Sequence, residues 1–244
     1  MSPDAYLAMA ETESRHWWFV GRRRIIETVI ARLVLPTPAR ILEVGSGTGG
    51  NLEMLSQFGR VQAVEKNPTA QLIAMEKTAR RFDIRLGQCP NEIPFSGERF
   101  DLICLFDVLE HVEEDVETLV ALRGLLADGG RILVTVPAHQ WLWGTHDEFL
   151  HHKRRYSAAE LCEKISAAYL RPDKFSYFNT FLFPLIVVAR FKDRLRKGRA
   201  ASGTAVPGAP LNDLLQKIFS AERIFLKRHN FGFGISLLAV LRAS

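Results

Sequence analysis

Three glycines and an acid near the first strand pattern could bind an adenosine-containing cofactor. Gly45, Gly47 and Gly49 directly follow the apolar run 40–44. Glycine accepts positive φ angles and lets a ligand approach the backbone, and the free N–H groups of a following helix attract negative charge. Glu65 closes the next apolar run, where a carboxylate can accept hydrogen bonds from ribose hydroxyls. The spacing therefore predicts an adenosine crevice at the carboxyl ends of two parallel strands.

The glycine spacing matches two cofactor-binding patterns, and both stay open at this point. Gly45, Gly47 and Gly50 fit the dinucleotide fingerprint G-x-G-x-x-G. Gly45, Gly47 and Gly49, with Glu43 ahead of them, fit the loop that binds S-adenosylmethionine. A tight turn that binds nothing is a third interpretation, because glycine is common in turns of any kind. Residues farther along the chain must distinguish these interpretations.

Two histidines are candidate general bases, because neutral imidazole can accept a proton near physiological pH. His111 ends the segment 107–111, which reads D-x-x-E-H, and His152 begins the run 152–156, which reads H-K-R-R-Y. The favoured alternative for His111 is a partly buried helix residue that is hydrogen-bonded to the backbone. Tyr156, at the end of the second run, is the third catalytic candidate. His146 and His151 remain alternatives for the base.

Three arginines could bind an anionic group of a substrate, because a guanidinium pairs well with carboxylates and phosphates. Arg22 follows the aromatic stretch 16–19, on a predicted helix that could close over the cofactor. Arg154 and Arg155 lie in the loop after the fifth strand pattern. The alternative for Arg22 is a helix that packs its aromatic face on the sheet and solvates its basic face. The alternative for Arg154 and Arg155 is a solvated charge run.

The 244-residue chain has a formal net charge of +5, but the charge is unevenly distributed. Residues 41–150 carry 9 basic and 17 acidic side chains, whereas residues 151–203 carry 12 basic and 4 acidic ones. This asymmetry indicates an anionic partner for the basic segment. The three cysteines show no metal or redox spacing, and no apolar run reaches the length of a membrane span. We therefore expect a cytoplasmic protein, with peripheral attachment at the inner face of a membrane as the alternative.

The elements that must position these residues alternate between strands and helices. Short apolar runs are separated by segments with helical periodicity, which predicts βαβ units. Right-handed crossovers then give an α/β fold with a doubly wound, mainly parallel sheet. The predicted strands are 40–44, 60–64, 85–86, 100–106, 131–136, 174–178 and 233–241.

The sequence resembles the class I S-adenosylmethionine-dependent methyltransferases over residues 38–137. Four segments carry the resemblance in the family's order: ILEVGSGTGG, VEKN, FDLICLFDVLEHV and LLADGGRILVTVP. It is most similar to the small-molecule group with DVLEHV after the fourth strand. A weaker similarity runs from HHKRRYSAAEL to the C-terminus and is shared with bacterial enzymes of cell-envelope glycan and lipid pathways. The resemblance implies a Rossmann-like seven-stranded sheet with an antiparallel last strand, and S-adenosyl-L-methionine as cofactor.

The resemblance also implies which residues bind the cofactor. Where the family usually has an acid that binds the adenine amino group, this chain has Gln88, which can accept a hydrogen bond through its amide oxygen. Relatives with DVLEHV commonly need no metal, so we expect none. The alternative is a divalent metal ion bound by Asp107, Glu110 and His111, because some methyltransferases use a similar acid-x-x-E-H segment with a later histidine for this purpose. The implied contacts are Glu43, Gly45, Gly47 and Gly49 at the methionine and ribose, Glu65 at the ribose, Lys66 and Gln88 at the adenine, and Asp107 and Val108 near the sulfonium.

We expect one methyltransferase domain over residues 1–244. It comprises a cap helix at 14–35, a cofactor-binding core at 38–179, a helical insertion at 180–230 and a last strand at 231–244. The insertion has an apolar stretch with a basic flank, which could contact a membrane or a lipid-like acceptor, or pack on the core or in a dimer.

The expected function is methyl transfer, at oxygen, to a small-molecule or lipid- or saccharide-linked acceptor. One alternative is a nucleic-acid methyltransferase, although Phe106–Leu109 lacks the Pro-Pro-aromatic motif of enzymes that methylate base amino groups. The other is a non-catalytic S-adenosylmethionine-binding protein.

Overall fold

The computed structural model describes residues 3–195 and 206–244 and places one sheet between two layers of helices. The strands are β1 (Ala39–Val44), β2 (Gly59–Glu65), β3 (Asp83–Leu86), β4 (Phe100–Phe106), β5 (Leu126–Pro137), β6 (Leu170–Phe178) and β7 (Ser236–Ala243). The helices are α1 (Pro3–Thr12), α2 (Trp17–Ile30), α3 (Leu52–Ser56), α4 (Pro68–Lys77), α5 (Asp115–Arg123), α6 (Thr145–Phe149), α7 (Ala158–Ala167), α8 (Phe183–Leu195) and α9 (Ala209–Leu226).

The strand order is β3-β2-β1-β4-β5-β7-β6, which confirms the predicted doubly wound sheet. β1 to β5 run parallel to their neighbours, whereas β7 is antiparallel to both β5 and β6. β6 therefore points in the same direction as β5. As a result, the carboxyl ends of β1, β2, β4, β5 and β6 all meet at one edge of the sheet, where residues that follow these strands can form a common site.

The central strands form because their side chains are apolar on both faces. All seven residues of β4 are buried, as expected for a strand that is covered by helices on either side. One cluster of buried side chains lies between the sheet and α2, α3 and α9, and it includes Ile25, Leu55 and Phe219. The second lies between the opposite face and α5 and α7, and it includes Leu119 and Leu161.

The N-terminal region contains two helices where the sequence predicted one at 14–35. α1 ends at Thr12, and His16 caps the N-terminus of α2 by accepting a hydrogen bond from the Trp18 N–H. α2 lies within the predicted helix 14–35 and is shorter at both ends, whereas α1, which ends before residue 14, was not predicted. α2 itself ends at Ile30, six residues ahead of Pro36.

The insertion forms α8 and α9, and α9 packs on α2. Gly21 of α2 lies so close to the Phe219 ring of α9 that an added Cβ would overlap it. Asn212 of α9 accepts a hydrogen bond from the Trp17 N–H at 2.9 Å and donates one to the Arg15 carbonyl at 2.9 Å. Residues 206–208 lead directly into α9, and its Phe219 and Leu226 belong to the core packing.

Part of the basic flank of the insertion, namely Arg196, Lys197 and Arg199, lies outside the described residues. Within residues 3–195 and 206–244, each helix is too short or too polar to cross a membrane.

Candidate active site

The glycine loop after β1 has the conformation that its sequence predicts. Gly45, Gly47 and Gly49 have φ angles of 70°, 54° and 78°, in the left-handed region that favours glycine. An added Cβ on Gly45 would lie 2.7 Å from Cγ2 of Val108. Only glycine therefore lets the loop pass this close to the end of β4, and the loop lines a cavity of about 700 Å³.

Glu65 lies beside this loop at the carboxyl end of β2. Its Oε2 accepts a hydrogen bond from the Gly47 N–H at 2.8 Å, and its Oε1 accepts one from the Asn67 N–H at 2.9 Å. Lys66 and Gln88 line the same part of the cavity. The structure thus brings together the loop, the acid and both residues predicted at the adenine.

Glu43 and Gly49, in contrast, lie behind the surface of the cavity. The Glu43 Oε1 accepts a hydrogen bond from Asn51 Nδ2 at 2.7 Å, while its buried Oε2 has no partner among the described residues. Burial raises the pKa of Glu43 to about 8. Gly49 packs against Ala74, whose Cβ lies 3.1 Å from the position of an added Cβ. Both residues support the loop from inside.

The α1 helix covers the glycine loop, which the sequence analysis did not predict. The Glu13 carboxylate lies against Gly50, accepts a hydrogen bond from the Thr48 hydroxyl at 2.8 Å and pairs with Lys77. Tyr6 and Met9 line the cavity with it, and burial raises the pKa of Tyr6 to about 12. The sequence did not indicate α1 as an amphipathic helix, because its few polar residues do not mark out a distinct apolar face.

Arg22 reaches the cavity from α2 and pairs with Asp107. Its Nη1 donates to the Asp107 carboxylate, and its Cζ lies 4.5 Å from the centre of the Trp18 ring. Asp107 follows β4 with a φ of 57°, and its N–H donates to the Thr135 carbonyl at 3.0 Å. Since Asp107 already balances its charge, Arg22 is not a free anion-binding group in this structure.

The two candidate histidines lie side by side at the cavity wall. The rings of His111 and His152 are 4.7 Å apart, and both residues line the cavity. His152 Nδ1 lies 2.9 Å from Asp147 Oδ1, and His111 Nδ1 lies 3.4 Å from the His151 carbonyl oxygen. The oxygen partners at Nδ1 favour the tautomer that is protonated there, which leaves the lone pair of each ring on Nε2. Burial lowers the pKa of His111 to about 3, which keeps it neutral.

Glu110 lies beside these histidines and is fully buried. His152 Nε2 is 3.9 Å from its Oε1, and neither carboxylate oxygen has a hydrogen-bond partner among the described residues. Burial raises the pKa of Glu110 well above its usual value. Donor atoms of Glu110, His111 and His152 lie within 4.8 Å of one another, so that this group could hold a metal ion. Asp107, which the sequence grouped with His111, belongs instead to the Arg22 pair.

The structure corrects the predicted roles of three residues in the run 152–156. Arg154 donates to Asp115 at 2.7 Å, and the Tyr156 hydroxyl donates to the same carboxylate at 3.0 Å. Arg155 Nε donates to Asp147 at 2.8 Å, and its Nη1 donates to a backbone carbonyl. These three side chains hold the loop in place and do not line the cavity. The sequence alone did not reveal these partners, because Asp115 lies about forty residues away and the pairing of Arg155 with Asp147 depends on how the loop folds.

The far end of the cavity is formed by residues that the sequence analysis did not single out. They come from the end of α6 and the loop that follows it, from the carboxyl end of β6, from α8 and from the approach to β7. The sequence carried no signal for them, because most are apolar and their elements are distant along the chain. They include Phe149, Leu150, Asn179, Ile186, Ala189, Arg190 and Ile235.

The sequence matches a family described as methyltransferase domain over residues 19–180. A curated relative, the ubiquinone biosynthesis O-methyltransferase of Roseobacter denitrificans, is 30% identical over 95 residues, which are 37% of this chain and 38% of the relative. A protein of Mycolicibacterium smegmatis, named a probable S-adenosylmethionine-dependent methyltransferase, is 28% identical over 156 residues, 63% of this chain and 59% of its own. The chain therefore spans less than two thirds of the length of each of these relatives.

Two solved structures share the fold over nearly the whole chain. The Haloferax volcanii protein solved with the Trm112 methyltransferase activator has a TM-score of 0.63 at 18% identity and covers 98% of this chain and 95% of its own. A TehB-like SAM-dependent methyltransferase from Corynebacterium glutamicum has a TM-score of 0.56 at 18% identity, over 92% of this chain and 88% of its own. At this identity the likeness concerns the fold alone.

Proposed function

Because the chain belongs to the methyltransferase domain family, whose fold implies S-adenosylmethionine as cofactor, we propose that it methylates a hydroxyl oxygen of a small, partly apolar acceptor. The observation that carries the choice of oxygen is the Asp147–His152 pair at the cavity wall. A hydroxyl must lose its proton as it attacks, and a histidine oriented by a carboxylate can accept that proton. The name of the ubiquinone O-methyltransferase relatives is compatible with such an acceptor.

The residues around the glycine loop fit the cofactor. Buried polar atoms without a partner among the described residues include Glu43 Oε2, Ser46 Oγ and Arg22 Nε, and all lie in or next to the loop end of the cavity. Buried polar atoms are normally hydrogen-bonded, so that these atoms indicate a polar ligand. We propose that Glu65 accepts the ribose hydroxyls and that Gln88 contacts the adenine.

The methionine end of the cofactor would face Arg22 and Asp107. S-adenosylmethionine supplies a methyl group on a positively charged sulfur. Asp107 can help to balance that charge. Arg22 is paired with Asp107 through Nη1, but its buried Nε has no partner among the described residues and can donate to a carboxylate on the same ligand. Val108, which packs on Gly45, shapes the loop beside them. Arg22 is still proposed to bind an anionic group, but the group now belongs to the cofactor and not to the acceptor.

His152 would act as the base, and His111 would stay neutral beside it. Asp147 is itself held by Arg155 and by the Gly144 N–H at 3.0 Å, so that the His152 ring has one fixed orientation. A metal ion held by Glu110, His111 and His152 is the alternative use of these groups. Activity that EDTA abolishes and that a divalent cation restores would contradict the proposed base.

The acceptor end of the cavity supports a lipid-like acceptor. Ile186 and Ala189 of α8 line the cavity, while Leu185 and Val188 of the same helix are exposed to solvent by 56% and 51%. One helix thus presents apolar side chains to the cavity and to the outside. We propose that α8 contacts an anionic membrane surface from which a lipid-linked acceptor enters, which makes the protein peripheral at the inner face of the membrane.

The test is methyl transfer from labelled S-adenosylmethionine to bacterial extracts separated into lipid, aqueous and RNA fractions. We expect label in the lipid fraction with the wild-type protein and none with Glu65→Gln, which removes the charged acceptor for the ribose. The control is Glu148→Gln, an exposed acid next to the site residue Asp147. Label in the RNA fraction alone, or in no fraction while the cofactor still binds, would contradict the proposal.

A further inference from the structure

Asn179 is a buried amide that the reaction described above does not use. It is the first residue after β6, it lines the acceptor end of the cavity, and only 1% of it is exposed. Neither Nδ2 nor Oδ1 has a hydrogen-bond partner among the described residues. Leaving a buried amide without partners is costly, and each such group in a folded protein needs an explanation.

The backbone holds this amide in place. Asn179 has a φ of 57°, a conformation that asparagine tolerates better than most residues. Its N–H donates to the Glu222 carboxylate of α9 at 2.7 Å, and the N–H groups of Thr180 and Phe181 donate to the same carboxylate at 2.6 and 2.8 Å. The Asn179 carbonyl accepts a hydrogen bond from the Ile235 N–H at 3.4 Å. The backbone N–H and the backbone carbonyl of Asn179 are therefore both held by hydrogen bonds.

The position of Asn179 places it on the acceptor side of the cavity. β6 lies three strands away from β4 in the sheet, which at the usual strand spacing is about 14 Å. The glycine loop and Asp107 follow β1 and β4, so that the cofactor residues lie on the other side. The elements around Asn179 bring the apolar side chains of Ile186, Ala189 and Ile235 to the cavity, together with the charged side chain of Arg190. The amide is thus a polar group in a mostly apolar part of the cavity wall.

We propose that Asn179 binds a hydroxyl group of the acceptor, which would have an otherwise apolar body at this point; the inference rests on the proposed methyl transfer. An amide offers one donor group and one acceptor oxygen, and a hydroxyl can use both. A carboxylate or phosphate would use only Nδ2, and an ammonium group would use only Oδ1. Either would leave half of the amide without a partner in a buried site.

The test measures the preference for a hydroxyl without requiring turnover. Binding of 4-octylphenol, 4-octylanisole and octylbenzene is measured by calorimetry in the presence of saturating S-adenosylhomocysteine. The anisole keeps the oxygen but cannot donate a hydrogen bond. We expect the wild-type protein to bind the phenol at least about tenfold more tightly than the anisole, since a buried polar group that loses its partner costs this much.

Asn179→Gly keeps the left-handed backbone and removes the amide, and it should reduce this preference to about twofold or less. Asn179→Asp keeps the hydrogen-bond acceptor and should retain a preference for the phenol. Both variants should bind S-adenosylhomocysteine like the wild-type protein. Asn230→Gly, a change of an exposed asparagine in the loop before β7, should alter none of these values.

Three results would overturn the inference: a wild-type protein with no preference for the phenol, an Asn179→Gly variant with the full preference, or one with weakened S-adenosylhomocysteine binding. The proposed methyl transfer fails separately, when wild-type protein binds the phenol with the expected preference but labels none of the extract fractions.

Discussion

The sequence predicted individual residues of this site where the backbone conformation requires a particular residue type. Gly45 must be glycine because of its φ angle and its contact with Val108, and Glu65 must be polar because it bonds the loop N–H groups. Arg154 and Tyr156 could not be placed in the same way. The sequence shows that they are charged or polar, but their shared partner Asp115 lies about forty residues away, so that only the folded chain shows that they face inward.

Glu43 should link cofactor binding to pH. Its pKa is raised to about 8 by burial, with Glu13 and Glu65 raising it further and Arg22 opposing them, so that at pH 7 its carboxyl is mostly protonated in the free protein. A cationic ligand nearby favours the carboxylate, and binding should therefore release a proton. The association constant should rise as the pH increases from 6 to 8, by at most about tenfold per unit from this group.

Calorimetry in buffers of different ionisation enthalpy would measure that proton release. S-adenosylmethionine carries a titratable amino group of its own, so the relevant quantity is the difference between the wild-type protein and Glu43→Gln. The glutamine keeps the contact with Asn51 and should lose the proton release that is due to Glu43. Equal release by both proteins would show that Glu43 does not respond to the cofactor.

Asp147 should affect the rate more than binding. Asp147→Asn weakens the acceptor of the His152 Nδ1–H and can favour the wrong tautomer, so we expect kcat to fall by about a hundredfold. The KM for the acceptor and the affinity for S-adenosylhomocysteine should change little. The measurement is steady-state kinetics with the acceptor found in the lipid fraction.

Glu148→Gln changes the neighbouring exposed acid and is the matched control. Because Asp147 also binds Arg155, the thermal midpoint of each variant must be recorded. A folded Asp147→Asn variant with the kcat of the wild-type protein would rule out His152 as an oriented base.

At the scale of elements, long periodic segments were predictable and short or distant ones were not. β4 was predicted with its bounds unchanged, since an uninterrupted apolar run marks a strand that is buried on both faces. The five-residue helix α6 has too little sequence for a helical period. The packing of α9 on α2 joins segments that are nearly 200 residues apart, a pairing that no local pattern encodes.

The contact between α2 and α9 should depend on Gly21. A glycine inside a helix normally costs about 1 kcal/mol relative to alanine, so that Gly21→Ala would be stabilising in an isolated helix. Here the added methyl group would overlap the Phe219 ring, and we expect a net destabilisation of about 1–3 kcal/mol. Urea unfolding followed by circular dichroism measures the change.

Phe219→Leu provides the control for this interpretation. Combined with Gly21→Ala it removes the overlapping ring, so that the double variant should lose less stability than the two single changes added together. Strict additivity would mean that Gly21 and Phe219 do not contact each other as the structure shows.

At the scale of the whole molecule, the uneven charge of the sequence has a structural meaning. The acidic segment 41–150 forms the cofactor half of the sheet, and many of the basic groups after it pair with those acids. Arg154 and Lys164 both bind Asp115, and Arg155 binds Asp147. These pairs leave the net charge unchanged, but they take basic groups out of a continuous positive surface, which weakens a nucleic-acid interpretation that is based on charge alone.

The apolar outer face of α8 should determine membrane binding. Leu185 and Val188 are exposed, and Lys192 follows them on the same helix. Replacing both apolar residues by glutamate would put negative charge where the proposed interface buries apolar side chains. We expect Leu185→Glu/Val188→Glu to reduce co-sedimentation with phosphatidylglycerol vesicles at least about tenfold, because both burial and the attraction to anionic lipid are lost.

Leu72→Glu is the control variant for the outer face of α8. Leu72 of α4 is also exposed, by 51%, but it belongs to a helix on the cofactor half of the sheet. This variant should bind vesicles like the wild-type protein, and all three proteins should bind S-adenosylhomocysteine equally. Wild-type protein that does not sediment with anionic vesicles would reject the membrane contact, while methyl transfer to a small acceptor in solution would still stand. If Leu72→Glu abolished binding as well, the loss would follow net charge, and α8 would not be the surface that contacts the membrane.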